Sequence, residues 1–381
     1  MRILVVTQQF RQVTSGLGTY ARGLVDGLVR RGHAVTLALP RDQTEPREDV
    51  RLAPMAFAPG NVTPLAAVRM AREVRRVLAA EMARHDVVHF LDAREAALAG
   101  AWPGGARAPV VGTIHDAYAL DWRTPDFPRR LYDDRALRAL YYAWLRRLER
   151  RAYRRLGMLA VNSRHVATAV ERGYGVPPAR LRVVTIGLPA LPPARPERLD
   201  GNPSILFVGG NFQRKGLGVL VAAFADVVQR HSAARLHVVG GDPLLARFRE
   251  RAAARGLAGA VVFHGWQPHE RVRAMMAGAS VFAMPSLVEA FGLVYLEAMA
   301  AGVPVVATAI GGAAEILTHG TNALLAARGD VASLGAALEQ AVTDDAMRER
   351  LVRGGRATAA RITMDATVAG TEAIYAARQG A

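Results

Sequence analysis

Short apolar runs rich in β-branched residues recur along the chain, each followed by a longer stretch whose apolar positions return every three or four residues. The first half carries "RILVVT" (2–7), "AVTLALP" (34–40), "DVVHFLD" (86–92) and "APVVGTIHD" (108–116), separated by Ala-, Leu- and Arg-rich segments of helical spacing. Fully apolar runs alternating with helices predict a parallel sheet covered on both faces. After "GLPALPPARPERLDGNPS" (187–204), dense in Pro and polar residues, the pattern restarts. "ILFVGG" (205–210), "ARLHVVGG" (234–241), "AVVFHG" (260–265), "ASVFAMPS" (279–286) and "VPVVATAIGG" (303–312) follow. Two α/β domains are expected, 1–190 and 204–360, joined by a stiff linker at 191–203. The segment 361–381 reads as a last helix packing back on the first domain. Sheets of this kind bind ligands at the carboxyl ends of their strands, and two such edges could face one cleft.

Length agrees with this division, since 381 residues exceed one comfortable core. The chain has no cysteine, which excludes disulfides, thiolate chemistry and cysteine-ligated metal sites. "MRILVVTQQF" reads as a buried strand rather than a signal peptide, and no apolar run reaches the roughly 18–20 residues that span a bilayer. A cytoplasmic protein is expected. The net charge of +16 is uneven: residues 1–190 hold 30 basic against 17 acidic side chains, and the rest 19 against 16. An excess of that size suits an anionic partner such as phosphates, nucleic acid or a lipid surface. Of the basic residues 48 are arginine and one, Lys215, is lysine.

Four loops that follow strands could carry chemistry. In "QQFRQVTSGLGTYARGL" (8–24), Gly16 and Gly18 precede a helix and leave room for a phosphate or sugar near backbone N–H groups, although the dinucleotide fingerprint is absent. "TIHDAY" (113–118) places His115 at a strand end, where an imidazole can donate to a developing oxyanion or move a proton. In "ILFVGGNFQRKG", Arg214 offers a planar fork and Lys215 a compact point charge, a combination suited to a diphosphate; the Walker pattern is absent. The fourth loop opens "MPSLVEAFGLVYLEAMAAGVPVVATAIGGAAEIL" (284–317), where Glu289 and Glu297 form an E-x7-E pair. With a helix beginning near Gly292, Glu289 lies in the preceding loop and Glu297 in the second turn. The intervening "AFGLV" then supplies backbone N–H groups for an anion. A loop carboxylate there can hold sugar hydroxyls, and the helical one a ribose diol.

These residues resemble those of the retaining nucleotide-sugar glycosyltransferases of GT-B type, in the large family 4, or group 1, that includes bacterial mannosyltransferases, lipopolysaccharide glucosyltransferases and sucrose synthases. The likeness rests on "SGLGTY" before "RRGHAVTL", on "TIHD", "VNSRHVA", "NFQRKG" and "FHGWQP", and above all on "PSLVEAFGLVYLEAMAAGVPVVAT" followed by "GGAAEIL". It implies two Rossmann-like domains facing a cleft and transfer of a sugar from a UDP-, GDP- or similar donor to a hydroxyl acceptor, which could be a glycan, a lipid-linked glycan or a small molecule. By the same resemblance Glu289 would hold the donor sugar, with the amides of Phe291, Gly292 and Leu293 near sugar and diphosphate. Glu297 would bind the ribose, Arg214 and Lys215 the leaving diphosphate, and His115 the sugar or phosphate. Gly16 and its neighbours would touch the diphosphate, and the backbone around Trp266 and Gln267 would frame the base. The chain departs from the pattern at Ser15, where many members have glycine, at Gly210 and Asn211, where "GR" is common, and at "TIGLP" (185–189), where "PNGVD" is usual.

No D-x-D is present, so neither a metal nor any other cofactor is expected, and the cations with the helix N-terminus would stabilise the leaving group. By the same resemblance the reaction would proceed on one sugar face, with the leaving phosphate taking the acceptor's proton; Glu289, the nucleophile that an analogy with glycosidases suggests, is expected to bind instead, and domain closure would complete the site. A sugar-nucleotide epimerase or hydrolase of the same architecture is the alternative, and a nucleic-acid-binding protein, suggested by charge alone, a remote one with no motif behind it. The basic helix "RALYYAWLRRLERRAYRRLG" (138–157) reads as a buried helix with a solvated basic face, or as one lying peripherally on an anionic membrane.

Overall fold

The computed structural model describes all residues except 11–15, 45–46, 57–63, 100–107, 118–119, 121–134, 191 and 380–381. In chain order the elements are β1 (Arg2–Val6), α1 (Gly16–Arg30), β2 (Ala34–Pro40), β3 (Arg51–Met55), α2 (Pro64–Glu81), β4 (Val87–Phe90), α3 (Ala93–Ala99), β5 (Val110–Ile114), α4 (Arg135–Arg155), β6 (Met158–Val161), α5 (Arg164–Tyr174) and β7 (Leu181–Val183). There follow β8 (Ser204–Val208), α6 (Leu217–Arg230), β9 (Arg235–Val239), α7 (Leu245–Ala253), β10 (Val261–Gly265), α8 (His269–Gly278), β11 (Val281–Met284), α9 (Leu293–Ala301), β12 (Val305–Ala307), β13 (Leu324–Leu325), α10 (Val331–Thr343), α11 (Asp345–Arg361) and α12 (Met364–Gln379). The chain divides into two compact units. Among the described residues the first holds those up to 120, 135–189 and everything from Thr363 on, and the second holds Ala190–Ile362.

The sheet of the first unit runs β3-β2-β1-β4-β5-β6-β7 and is parallel at every pairing. Strand order reverses between β1 and β4, so the loops leaving those strands part there. Apart from Arg2 at the start of β1, its strands β1, β4 and β5 are buried throughout, as unalternated apolar runs require. The pattern did not anticipate the interior strand β6 or the two edges. β3 carries Arg51 and Pro54, residues that only an edge strand tolerates easily, and β7 has three residues.

Helix α12 belongs to the first unit for a reason visible at two glycines of α1. A Cβ at Gly23 would come 2.7 Å from Met364 Cε, and one at Gly27 2.4 Å from Val368 Cγ2, so the missing side chains admit the second helix. His89 on β4, fully buried, spans Tyr375 Oη at 2.7 Å and Thr113 Oγ1 at 2.8 Å. Burial holds its pKa down to about 3, keeping it a neutral bridge.

The second unit has the sheet β10-β9-β8-β11-β12-β13, again parallel throughout, with its reversal between β8 and β11. Val281 and Phe282 of β11 register with Ile205 and Leu206 of β8. The loops leaving these two adjacent strands therefore flank the crevice where such sheets take ligands. No helix among the described residues is long and apolar enough to cross a membrane.

Candidate functional site

The loop after β8 turns sharply because of its residue types. Asn211 takes a left-handed backbone (φ 57°), the Phe212 N–H is held by Asp242 Oδ2 at 2.7 Å, and the Lys215 N–H returns to Asn211 O at 3.0 Å. Gly216, with φ 75°, caps α6; a Cβ there would sit 1.9 Å from Pro285 O, so only glycine lets the two loops meet. The loop after β11 is stitched to the first by the Leu287 N–H donating to Arg214 O at 2.8 Å, and to the loop after β12 by the Gly312 N–H donating to Glu289 O at 3.2 Å. Three strand-end loops thus share one backbone network.

Inside that network Lys215 Nζ pairs with Glu289 Oε2. Glu289 is 5% exposed. Its Oε2 also accepts from Ser286 Oγ at 3.1 Å, while Oε1 takes no hydrogen bond among the described residues. Burial alone would raise this carboxyl, but the Lys215 and Arg214 charges, with the hydrogen bonds from Lys215 and Ser286, outweigh it and hold Glu289 below the usual carboxylate range. Burial pulls the Lys215 ammonium below its ordinary value, opposed by Glu289 and reinforced by Arg214.

Gly292, with φ 89°, caps α9, so the first amides of that helix, beginning at Leu293, open beside Glu289; Phe291 is buried just before them. Glu297 lies in the second turn of α9, as the E-x7-E spacing predicts, and its Oε1 is 3.2 Å from His269 Nε2. After β10 the chain turns at Gly265 (φ 68°). Trp266 is 56% exposed, and Gln267 is fixed by donating to His264 O at 2.7 Å and accepting from Arg271 at 2.8 Å. The second unit therefore brings Arg214, Lys215, Glu289, Phe291, Gly292 and Leu293 together at its switch point. Glu297, Trp266 and Gln267 stand in separate local settings on the same carboxyl edge.

The remaining predicted residues are in the first unit. Gly16 opens α1 with nothing within 4 Å of an added Cβ, and Gly18 is buried two residues on; the loop residues 11–15 before them lie outside the described residues, as does Tyr118 of "TIHDAY". His115 follows β5, its ring edge-on to Tyr20 at 5.0 Å, with Nε2 donating to Leu91 O at 2.7 Å. Burial lowers its pKa against the opposing pull of Asp92 and the Leu91 carbonyl, so the ring is neutral near pH 7. With the Nε2 proton committed, Nδ1 presents a lone pair. Of the two roles expected from the sequence, donating to an oxyanion or moving a proton, this arrangement leaves Nδ1 as an acceptor.

Residues 193–358 match the family model of the glycosyl transferases group 1, and residues 14–189 that of glycosyltransferase family 4, so the two together span both units. The chain belongs to the group 1 glycosyltransferases. This glycosyltransferase is 26% identical over 387 residues to an uncharacterized glycosyltransferase of Methanocaldococcus jannaschii, with 93% of each chain covered. It is 36% identical over 167 residues to the GDP-mannose-dependent alpha-(1-6)-phosphatidylinositol monomannoside mannosyltransferase of Mycobacterium tuberculosis, covering 42% of this chain and 43% of that one. Among solved structures it resembles a sucrose-phosphate synthase from Thermosynechococcus elongatus, with a TM-score of 0.79, 21% identity and 98% of each chain covered. The fold is thus of GT-B type, with two parallel α/β domains.

Sequence reasoning missed the residues that hold the glycosyltransferase's site in shape. Asp242, in "GGDP" after β9, also accepts the Leu244 N–H at 2.8 Å and so ties two loops. His269 meets Glu297. Ser286 ends an apolar run at "MPS", and a small hydroxyl three residues before the loop glutamate was the available signal. Tyr295, fully buried, donates toward Met284 O at 2.9 Å and Ser286 Oγ at 3.3 Å, and resembles an ordinary core aromatic in the sequence.

Proposed function

We propose that this glycosyltransferase is metal-independent and retaining, and moves a sugar from a nucleoside-diphosphate donor to a hydroxyl acceptor. The observation that carries the reading is Lys215 paired with the buried Glu289, whose Oε1 has no hydrogen bond among the described residues, beside Arg214 and the α9 N-terminus. A diphosphate is met by a fork, a point charge and helix amides, and a sugar hydroxyl by a carboxylate that is held ionised. As the glycosidic C–O bond breaks, charge develops on the diphosphate; fixed positive groups aimed there contribute several kcal/mol, about 3 kcal/mol each. Glu289 already has Oε2 doubly engaged, which supports holding a hydroxyl over attacking carbon. In this reading the acceptor adds on the face the diphosphate leaves, and its proton goes to the departing phosphate oxygen. His115, through Nδ1, accepts a donor-sugar hydroxyl, and Glu297 takes the ribose. The basic charge carried by Arg214, Lys215 and the helix end is the reason no metal or other cofactor is invoked. The mannosyltransferase relative's use of GDP-mannose supports a nucleotide-sugar donor.

The deciding experiment is a panel of UDP-, GDP-, ADP- and dTDP-sugars. Thermal stabilisation identifies the donor, nucleotide release with and without acceptor gives turnover, and anomeric NMR of the product gives stereochemistry. Retained configuration with rates unchanged by EDTA is expected. Inverted product, EDTA-sensitive rates, or release indifferent to every acceptor would overturn the reading, the last in favour of a hydrolase or epimerase.

We also propose that α4 touches an anionic lipid surface. Arg147, Arg150, Arg151, Arg154 and Arg155 are exposed on it and Leu140 is 68% exposed, while Glu149, Ala152 and Tyr153 face the core. Co-sedimentation with phosphatidylglycerol vesicles but not phosphatidylcholine vesicles is expected, and equal behaviour with both would sink the proposal.

A further inference from the structure

Beneath Glu289 lies a buried chain of hydroxyls that neither the motifs nor the donor contacts explain. Ser286 and Tyr295 have no solvent exposure. Tyr295 has a single hydroxyl proton to share between Met284 O, at 2.9 Å, and Ser286 Oγ, at 3.3 Å. Offered a donor from that side, Ser286 has its own proton left for Glu289 Oε2, 3.1 Å away. The same tyrosine ring fills the space over Gly292: a Cβ there would fall 2.5 Å from Tyr295 Cδ2 and Cε2. One side chain therefore supports both the carboxylate and the glycine that opens the helix beside it.

We propose that Ser286 and Tyr295 are positioning residues, a relay that fixes which oxygen of Glu289 is occupied and so presents the other, Oε1, to the donor sugar. The inference rests on the donor-site reading above. Burial holds the Tyr295 phenol well above its ordinary pKa, so it keeps its proton at any working pH. Loss of the Ser286 hydrogen bond removes one of the influences that keep Glu289 ionised. A hydrogen bond to a charged group is of the size of about one pKa unit.

The test uses the fact that Lys215 is the only lysine, so lysine labelled with 13C at Cε gives one signal, beside Glu289. UDP, GDP and ADP are titrated into the wild type, and the nucleotide that shifts the signal selects the matching sugar donor: UDP-glucose, GDP-mannose or ADP-glucose. If none shifts it, the donor-site reading fails and this inference with it. Once one does, Ser286→Ala and Tyr295→Phe are expected to keep nucleotide affinity within about two-fold by the same signal. Their kcat with the matching donor is expected to fall about ten-fold or more, and the acid limb of the pH–rate profile to move up by about one unit. The double variant is expected to be no slower than Ser286→Ala, as for two links of one chain. A purely structural role would lower Tm and leave the acid limb in place. That outcome, or additive losses in the double variant, overturns the proposal even where nucleotide binding is intact.

Discussion

In the proposed donor site the Lys215–Glu289 pair couples stability to ligand binding, and a double-mutant cycle separates the two. Glu289 is buried, at 5% side-chain exposure, and Lys215 is mostly covered, at 13%, so Lys215→Met leaves a carboxylate in the interior without its ammonium. Breaking such a pair from one side costs about 3–5 kcal/mol. Here the Ser286 hydrogen bond and the Arg214 charge remain, which places the expectation at the lower end, about 3 kcal/mol. Glu289→Gln in the same background removes the orphaned charge, and urea denaturation should return most of that loss. Nucleoside-diphosphate affinity should behave differently. A charge-assisted contact to phosphate is of the order of 1.5–3 kcal/mol, so Lys215→Met should weaken binding of the cognate diphosphate about 10- to 100-fold by calorimetry. Glu289 holds sugar rather than phosphate in this reading, so the double variant should stay as weak as the single one. Recovery of diphosphate affinity together with stability in the double variant would show that Lys215 is only a counter-ion for Glu289, and would refute its role as a phosphate contact.

Two further outcomes follow from the same structure. Gly216→Ala places a Cβ 1.9 Å from Pro285 O at φ 75°, and since both sides of the clash are backbone it should cost at least about 2 kcal/mol and lower Tm by several degrees; a variant as stable as wild type would contradict the loop geometry. Glu149 is held up to about 7, first by burial and against the pull of Arg94. Its folded pKa lies above the unfolded one, so its stabilisation is complete below about pH 4.5 and is lost as pH rises toward 7. Glu149→Gln should therefore shrink the stability difference between pH 5 and pH 8 by about 2 kcal/mol in chemical denaturation, whereas an unchanged difference would place the titration elsewhere.

How much of this was legible depends on what each residue does locally. β1, β4, β5 and β11 announced themselves because a strand buried on both faces is almost wholly apolar, whereas the strand order with its reversals, and the four-residue β6, came only from the structure. β3 escaped because Arg51 and Pro54 break the run, and they are tolerated because β2 alone pairs with it. At the site, Glu289 and Glu297 were readable from spacing, since eight residues from loop into helix carry one carboxylate onto the second turn. Their partners were not. Lys215 reads as a phosphate contact from its neighbours, and nothing local says that its ammonium meets a carboxylate 74 positions away. His115 reads from the sequence as a group that could donate or move a proton, and only the fold shows its Nε2 proton committed to Leu91 O, where the end of β4 approaches that of β5.

The pairing also gives the lone lysine a physical reason. A guanidinium at position 215 would bring a planar fork whose two N–H groups match both oxygens of a carboxylate, while an ammonium is a point charge that takes one. In the structure Lys215 and Ser286 converge on Oε2, and Oε1 has no hydrogen bond among the described residues. In a chain that writes arginine 48 times, lysine stands where the proposed donor site leaves one carboxylate oxygen for a ligand. Lys215→Arg should then keep the positive charge, and hence diphosphate affinity, within a few-fold. Its turnover should fall about ten-fold or more, with the loss appearing in donor-sugar turnover rather than in nucleotide binding, because the fork closes over Oε1. Turnover equal to wild type would mean that either cation serves, and that the carboxylate's free oxygen is not what the lysine protects.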